Sequence, residues 1–185
     1  MMLSQLSSGW LIALGMVLCL IVLYLLRKLS QFLTELLKPF KKGKSYWCRV
    51  VHVSDGDTLT CTRFNLRRSE TKLRFAYVDA PESKQSFGKE SQQMVKKMVY
   101  RKLVRVEITD VDRYGRCVGF IRRYGKNINQ ELVKRGGAWV YEEYIRNPSQ
   151  KQQWLALQQQ AKKQKKGLWK NPHAMRPSTY RKQSK

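Results

Sequence analysis

Three short motifs of the sequence bring carboxylates and arginines together at close spacing. DGDTLTC contains Asp57, LRFAYVDAPE contains Arg74, Asp79 and Glu82, and DRYGRCVGF contains Arg116. Carboxylate oxygens are ligands for hard divalent cations such as calcium, and the planar guanidinium of arginine matches phosphate oxygens and can neutralise charge at phosphorus. A further carboxylate can orient or deprotonate a water molecule. If the three motifs converged, they would make a metal-assisted phosphodiesterase.

Each motif taken alone also has a purely structural explanation. An acidic residue in a turn, such as Asp55 or Asp112, commonly accepts hydrogen bonds from backbone N–H groups, and an isolated arginine commonly forms a surface ion pair. The catalytic interpretation is favoured because acidic residues are scarce in this chain, with 13 against 37 basic ones, and yet all three short motifs contain them. The four cysteines lack the paired spacing of a zinc site, so we expect the three that follow Cys19 to be buried, small apolar side chains.

Alternating apolar and polar residues predict five short strands. Their ranges are Tyr46–Val53, Thr58–Arg63, Lys72–Val78, Leu103–Ile108 and Cys117–Arg122. Helical periodicity predicts three helices, over Lys89–Arg101, over Asn127–Arg135 and from near Pro148 to Gly167. This order favours an α+β fold, a five-stranded barrel of the oligonucleotide-binding (OB) type with about three helices, over a parallel α/β sheet. The second motif would then end the third strand, and the third motif would open the fifth.

The charge of the chain is large and unevenly distributed. The formal net charge is +24, yet residues 1–26 contain no charged side chain, and after Glu143 there are basic residues and no acidic one. A positive field of this size attracts polyanions, which are nucleic acids or anionic membrane surfaces.

The N-terminal region predicts a membrane anchor. Gly9–Leu26 is uncharged, strongly apolar and about long enough to cross a bilayer as a helix. A cleaved signal peptide is the rival, but the charged segment and the cleavage site that would mark one are missing. The predicted organisation begins with a short N-terminal segment (1–8), a transmembrane helix or uncleaved signal anchor (9–26) and a basic juxtamembrane linker (27–44). A folded domain (45–170) and a basic disordered tail (171–185) follow.

The linker allows two interpretations. Apolar residues recur in it at helical spacing until Pro39, which fits an amphipathic helix on the membrane surface and fits a continued stalk equally well. Both remain open at this point.

The three motifs together resemble the signature of the staphylococcal-nuclease-like, or thermonuclease, family. They occur in the family's order with the spacing inside each motif kept, and the resemblance covers about Tyr46 to Trp169. It implies an OB-fold barrel and calcium-dependent hydrolysis of DNA and RNA, with little sequence specificity, to 5′-hydroxyl and 3′-phosphate ends. It further implies that Asp57 and Asp79 ligate calcium beside the backbone carbonyl of Ala80.

The resemblance also assigns catalytic and substrate-binding residues. Arg74, Glu82 and Arg116 match the catalytic set, in which Glu82 acts on the water and the two arginines act on the phosphate. Tyr144 matches one of two tyrosines near the nucleotide, while Glu142 takes the place of the other, for which Tyr141 could substitute. Tyr114, inside the third motif, is a further candidate for substrate contact.

We therefore expect a hydrolase, an endonuclease tethered to a membrane by a single span, monomeric and without a protein partner. One alternative is a non-catalytic nucleic-acid-binding module on the same anchor, but such a module has no use for Glu82 against an anionic phosphate. Another is a scaffold that binds lipid through its basic segments. The basic residues after the span favour a cytoplasmic domain, whereas the family analogy favours an outward-facing one, and we adopt the latter.

Overall fold

The computed structural model describes the backbone of residues 2–37, 40–63 and 70–184, with the side chains of residues 9–33 in the first helix. The chain divides into two compact units, one holding the first helix and one beginning at Phe40.

Helix α1 spans Met2–Leu37 without a break. Its segment Gly9–Leu33 has a mean hydropathy of 2.6 and is long and apolar enough to cross a membrane. The helix continues through Leu26, where the span was predicted to end, so the first part of the predicted linker is a continuation of the same helix. Pro39, the predicted end of the linker's apolar pattern, lies outside the described residues.

The second unit is built on a closed barrel. Its strands are β1 Ser45–Val53, β2 Thr58–Arg63, β3 Glu70–Phe75, β4 Val78–Asp79, β5 Leu103–Val111, β6 Cys117–Arg123, β7 Lys126–Asn127 and β8 Trp139–Val140. They pair in the order β3-β2-β1-β5-β6-β7, and a parallel pairing of β3 with β6 joins the two sides of the sheet. The five longer strands thereby form the predicted five-stranded barrel, as closure removes the exposed edges of β3 and β6.

The predicted third strand is divided by a turn. The sequence alternates from Lys72 to Val78, but Tyr77 adopts a left-handed backbone conformation with φ of 64°, which an extended strand cannot contain. The chain turns there, and Val78–Asp79 pairs with Trp139–Val140. This separates Asp79 from the strand that carries Arg74 and turns it back toward that arginine.

A buried asparagine fixes this turn. The side-chain amide of Asn129 donates to the Ala76 carbonyl at 3.0 Å and the Gly119 carbonyl at 3.1 Å, and its oxygen accepts from the Ile121 N–H at 3.1 Å. Because Asn129 is fully buried, each of these bonds satisfies a group that water cannot reach. The asparagine thus holds the turn before Asp79 against strand β6.

The helices are α2 Gly88–Val99, α3 Ile128–Lys134, α4 Pro148–Lys163 and α5 Pro177–Gln183, with short 3-10 turns at Glu142–Tyr144 and Gly167–Lys170. The first three correspond to the predicted helices, although α4 ends before Gly167. Asn127 caps α3 and Asn147 caps α4 by accepting backbone N–H bonds, as expected for this residue type.

The core lies between the barrel and α2, α3 and α4. Residues at alternate positions of the strands point inward, and Trp154 of α4 packs against them. Cys48, Cys61 and Cys117 are free thiols and buried, as predicted.

The C-terminal tail differs from the prediction of disorder. Pro177–Gln183 forms helix α5. Its composition is polar and basic, so the order of this segment comes from contacts with the domain rather than from a hydrophobic face of its own.

Candidate active site

The first motif forms a tight turn between β1 and β2. The Asp57 N–H donates to Asp55 Oδ1 at 3.0 Å, and the Ser54 N–H donates to the Thr58 carbonyl at 2.9 Å. Gly56 is required because a Cβ there would collide with Ser91 and Ala80. The turn leaves the Asp57 side chain buried at the start of β2.

Arg74 joins the two carboxylates that were predicted to ligate metal. Its Nη2 lies 3.1 Å from Asp57 Oδ2 and 3.2 Å from Asp79 Oδ1. One nitrogen contacts both carboxylates, so the two acids are held within hydrogen-bonding reach of a single point. Burial alone would lower the pKa of Arg74, but the charges of Asp57 and Asp79 outweigh it and raise the pKa.

The backbone of Ala80 lies against Asp57. The Ala80 N–H donates to Asp57 Oδ2 at 3.1 Å, and the Thr58 hydroxyl donates to Asp57 Oδ1 at 2.9 Å. The three predicted metal ligands, Asp57, Asp79 and Ala80, therefore come together although they belong to two separate motifs.

Two acids of the site have raised pKa values. Burial, with the nearby charge of Asp57, raises the pKa of Asp55 to about 7. Burial also raises the pKa of Asp79, against hydrogen bonds from Arg181 and the charges of both arginines. These environments disfavour the ionised carboxylates, so the site is one that an added cation would stabilise.

Glu82 stands at the open side of this cluster. The turn that follows it is tied by its own N–H, which donates to Gln85 Oε1 at 3.2 Å, and by the Gln85 N–H, which donates to the Glu82 carbonyl at 2.8 Å. The side chain is 38% exposed, so it is accessible to water.

A third cation, Arg181, was not predicted. Its Nη1 lies 2.6 Å from Glu82 Oε1 and 3.2 Å from Asp79 Oδ1. It belongs to α5, about a hundred residues away in sequence. No local motif surrounds it, and the basic composition of the tail was the one signal that pointed to an anionic neighbour.

The third motif forms a self-contained turn between β5 and β6. Asp112 Oδ1 accepts from the N–H groups of Tyr114 and Arg116, each at 2.9 Å, and Asp112 Oδ2 accepts from Arg116 Nε at 2.7 Å. Burial would raise the pKa of Asp112, but these hydrogen bonds lower it. Within the part of the chain that the structure describes, Arg116 forms no ion pair with Asp57, Asp79 or Glu82. The turn leads directly into Cys117, which pairs with Leu73 beside Arg74.

The candidate substrate-binding tyrosines lie in two different loops, Tyr141 and Tyr144 after β8 and Tyr114 between β5 and β6. Tyr141 and Tyr144 contact edge to face with ring centroids 4.6 Å apart, and the Tyr141 N–H donates to the Tyr77 carbonyl at 2.9 Å, close to Asp79. Burial, with Tyr144 nearby, raises the pKa of Tyr141. Tyr114 is exposed, with the Arg116 guanidinium 5.4 Å from its ring centroid.

Glu142, which stands at a usual tyrosine position, has a different role here. It pairs with Lys151 at 3.3 Å and with Arg176 at 3.5 Å. It therefore anchors neighbouring segments of the chain.

The oxygen groups of the site fit a hard cation by chemistry. Among the described residues, no three His, Cys, Asp or Glu side chains are close enough to form a metal cluster by themselves. Two carboxylates with one backbone carbonyl, completed by water, are nevertheless a donor set that calcium accepts. Asp57, Asp79 and the backbone of Ala80, which lie together here, are the predicted members of such a set.

Comparison with known proteins identifies the family. Residues 72–171 match the model of the family described as staphylococcal nuclease homologue. An uncharacterized endonuclease of Haemophilus influenzae is 41% identical over 139 residues, which cover 75% of this chain and 74% of that protein. An uncharacterized endonuclease of Escherichia coli O157:H7 is 40% identical over 134 residues, covering 72% of this chain and 83% of that protein.

A micrococcal nuclease of Shigella flexneri is 34% identical over 145 residues, covering 74% of this chain and 80% of that protein. The barrel fold and the cluster of acids with Arg74 point to the same family as these similarities. The chain belongs to the staphylococcal nuclease homologue family and is a nuclease, a hydrolase.

Proposed function

We propose that this nuclease is a calcium-dependent endonuclease that cleaves DNA and RNA to 5′-hydroxyl and 3′-phosphate ends, acting as a monomer tethered to a membrane by α1. The observation that carries the proposal is that Arg74 holds Asp57 and Asp79 together, although the two acids come from different turns of the barrel. Glu82 is joined to Asp79 through Arg181. Buried acids are costly unless cations neutralise them, and a buried cluster of acids and arginines is typical of a functional site.

Calcium is the proposed cofactor, held by Asp57, Asp79 and the carbonyl of Ala80. When bound, it supplies positive charge beside the scissile phosphate. The donor chemistry supports this choice because all three groups are oxygen ligands.

Glu82 is the proposed general base. It lies next to the buried acids but is 38% exposed, so a water molecule can reach its carboxylate and give up a proton to it as the water oxygen attacks phosphorus. The P–O5′ bond breaks in the same displacement, and the 5′ oxygen leaves and takes up a proton to become the 5′-hydroxyl. A positioned base of this kind contributes about 10²- to 10⁴-fold to a rate.

Arg74 and Arg116 are the proposed phosphate ligands. Asp112 holds the Nε edge of Arg116 at 2.7 Å, which leaves the two Nη groups as donors for phosphate oxygens. Arg74 is oriented by both acids and neutralises charge that develops in the transition state.

Little sequence specificity follows from this arrangement. The proposed contacts are with phosphates, which carry no sequence information, and Tyr141, Tyr144 and Tyr114 offer aromatic surfaces on which any base can stack.

Substrate and products can be tested with the full-length protein in non-ionic detergent. Labelled single-stranded DNA, duplex DNA and RNA are incubated with calcium or with a calcium chelator. We expect cleavage of all three with calcium, and products whose 5′ ends accept phosphate from a polynucleotide kinase without prior phosphatase treatment. Products with 5′-phosphate ends, or equal cleavage in the chelator, would contradict the proposal.

The tether is proposed to place the catalytic domain outside the cytoplasm. Helix α1 is long and apolar enough to span a membrane, and an unspecific nuclease is harmless to the cell on the outer side. A C-terminal reporter that is active only after export should be active on the full chain and inactive when the chain begins at Phe40. Activity of a reporter that works only in the cytoplasm would refute this orientation.

A further inference from the structure

The C-terminal helix places a cation on two acids of the active site. Arg181 Nη1 lies 2.6 Å from Glu82 Oε1 and 3.2 Å from Asp79 Oδ1, and its Nη2 lies 3.3 Å from both oxygens of Asp79. The guanidinium therefore covers the proposed base and one proposed metal ligand at once. It does so with its planar fork, the geometry that makes arginine–carboxylate pairs strong.

Contacts along the preceding segment hold this arginine in place. Gln85 Nε2 donates to the Met175 carbonyl at 2.8 Å. The Arg176 guanidinium pairs with Glu142 at 3.5 Å and lies 4.9 Å from the ring centroid of Trp139. Pro177, the first residue of α5, is buried. The position of Arg181 thus depends on a docked segment and not on a single surface ion pair.

Two cations share the acids of the site, and they differ in how they are attached. Arg74 belongs to a barrel strand and faces Asp57 and Asp79, and its backbone is fixed by pairing with β2 and β6. Arg181 belongs to the seven-residue helix α5, which is held by hydrogen bonds and partly exposed ion pairs and can detach while the barrel stays folded.

We propose that Arg181 competes with the divalent cation for Asp79 and thereby sets the metal affinity of the site, so that Arg181 withdraws from Asp79 when metal binds. This inference rests on the proposed function, because the competing ion is the proposed calcium. Arg181 lies beyond residues 72–171, the region that matches the family.

The competition follows from charge and space. A guanidinium that donates to both oxygens of Asp79 occupies the lone pairs that a metal would use, and two cations at adjoining positions repel each other. Removing the arginine frees Oδ2 of Asp79, leaves Oδ1 with Arg74 as its remaining cation, and leaves the negative charge of Asp79 and Glu82 less neutralised. Because the Arg181 side chain is 38% exposed, water screens part of this effect, and we expect calcium to bind about tenfold more tightly.

The test is calorimetric titration of calcium chloride into the full-length protein in non-ionic detergent, without nucleic acid. Arg181→Gln removes the competing charge, and Lys182→Gln removes the same charge from an exposed neighbour on the same helix. We expect the calcium Kd of Arg181→Gln to fall about tenfold and that of Lys182→Gln to stay within about twofold of the parent value.

A second variant separates docking from local charge. Arg176→Gln weakens the attachment of the tail to Glu142 and Trp139 and leaves Arg181 intact, so its calcium Kd should fall by about two- to fivefold. Near-ultraviolet circular dichroism verifies that each variant is folded.

The outcomes distinguish this inference from the function on which it rests. Calcium-dependent cleavage with equal calcium Kd values for the parent and Arg181→Gln would overturn the competition and leave the proposed function intact. Weaker calcium binding by Arg181→Gln would also overturn it. Absence of both calcium binding and calcium-dependent cleavage in all folded variants would overturn the inference and the calcium assignment together.

Discussion

Arginine meets carboxylate in two parts of the candidate site, and the two pairings are built differently. Arg74 contacts Asp57, 17 residues before it, and Asp79, five residues after it, across separate turns of the barrel. Arg116 contacts Asp112 within one turn, four residues earlier. The first pairing exists only if the barrel closes and the chain turns at Tyr77, whereas the second is formed by local turn chemistry.

The pKa values show what this difference means for the acids. Burial raises the pKa of Asp79 even though two arginines contact it, while at Asp112 hydrogen bonds overcome burial and lower the pKa. The long-range cluster is therefore an environment in which ionised acids depend on cations, and the local turn is one in which the acid is already satisfied. Substitutions should affect both stability and cleavage in the long-range cluster, and mainly cleavage in the local turn.

The largest effect is expected for Arg74→Ala. Removing this guanidinium leaves Asp57 and Asp79 buried without their shared partner, which should lower the free energy of unfolding by about 3–5 kcal/mol and abolish detectable cleavage. Urea unfolding of the full-length protein, followed by tryptophan fluorescence, measures the loss. Arg105→Ala, which removes an exposed arginine of β5, is the control. Equal unfolding free energies for the two variants would contradict the view that the buried acids depend on Arg74.

Arg116→Ala should affect activity far more than stability. Loss of one donor to the transition-state phosphate reduces kcat by about 10²- to 10³-fold, while loss of a partly exposed ion pair within one local turn changes the unfolding free energy by about 1 kcal/mol. Cleavage kinetics and urea unfolding on the same preparation separate the two. A stability loss as large as that of Arg74→Ala would show that the turn is part of the structural core.

The smallest effect is expected for Asp112→Asn, and it should depend on pH. The folded protein lowers the pKa of Asp112, so the ionised acid contributes stability above the unfolded-state pKa, and that contribution is lost as the pH falls through the folded-state value. The variant should be about 1 kcal/mol less stable at pH 7, with the difference shrinking below about pH 4. A difference that does not change between pH 7 and pH 3 would refute the pKa assignment.

The fold could be predicted from the sequence where elements are local. The five long strands and three helices follow from alternation, periodicity and caps such as Asn127 and Asn147. The turn at Tyr77 could not, because the alternation of side chains continues through it. The left-handed conformation of Tyr77 is stabilised by tertiary contacts, among them the hydrogen bonds from Asn129 to the Ala76 carbonyl and from the Tyr141 N–H to the Tyr77 carbonyl.

The site could be predicted in part, because its motifs are local in sequence while some of its contacts are not. Motif order indicated which acids and arginines belong together, and the structure joins Asp57 and Asp79 through Arg74. Glu82 reaches this group through Arg181, which contacts both Glu82 and Asp79. Arg181 could not be predicted, since its partners Asp79 and Glu82 are about a hundred residues away, and its segment, Asn171 to Lys185, has the composition of a disordered tail. Its order depends on docking contacts that no local pattern encodes.

The most direct test of the central claim is the rate of calcium-dependent cleavage by Glu82→Gln. The substitution keeps the size of the side chain and removes its basicity, and Glu90→Gln, at an exposed position of α2, is the matched control. We predict that the parent and Glu90→Gln cleave DNA with calcium and stop in chelator, while Glu82→Gln loses at least about 10²-fold in kcat. Cleavage by Glu82→Gln at the parent rate would contradict the account.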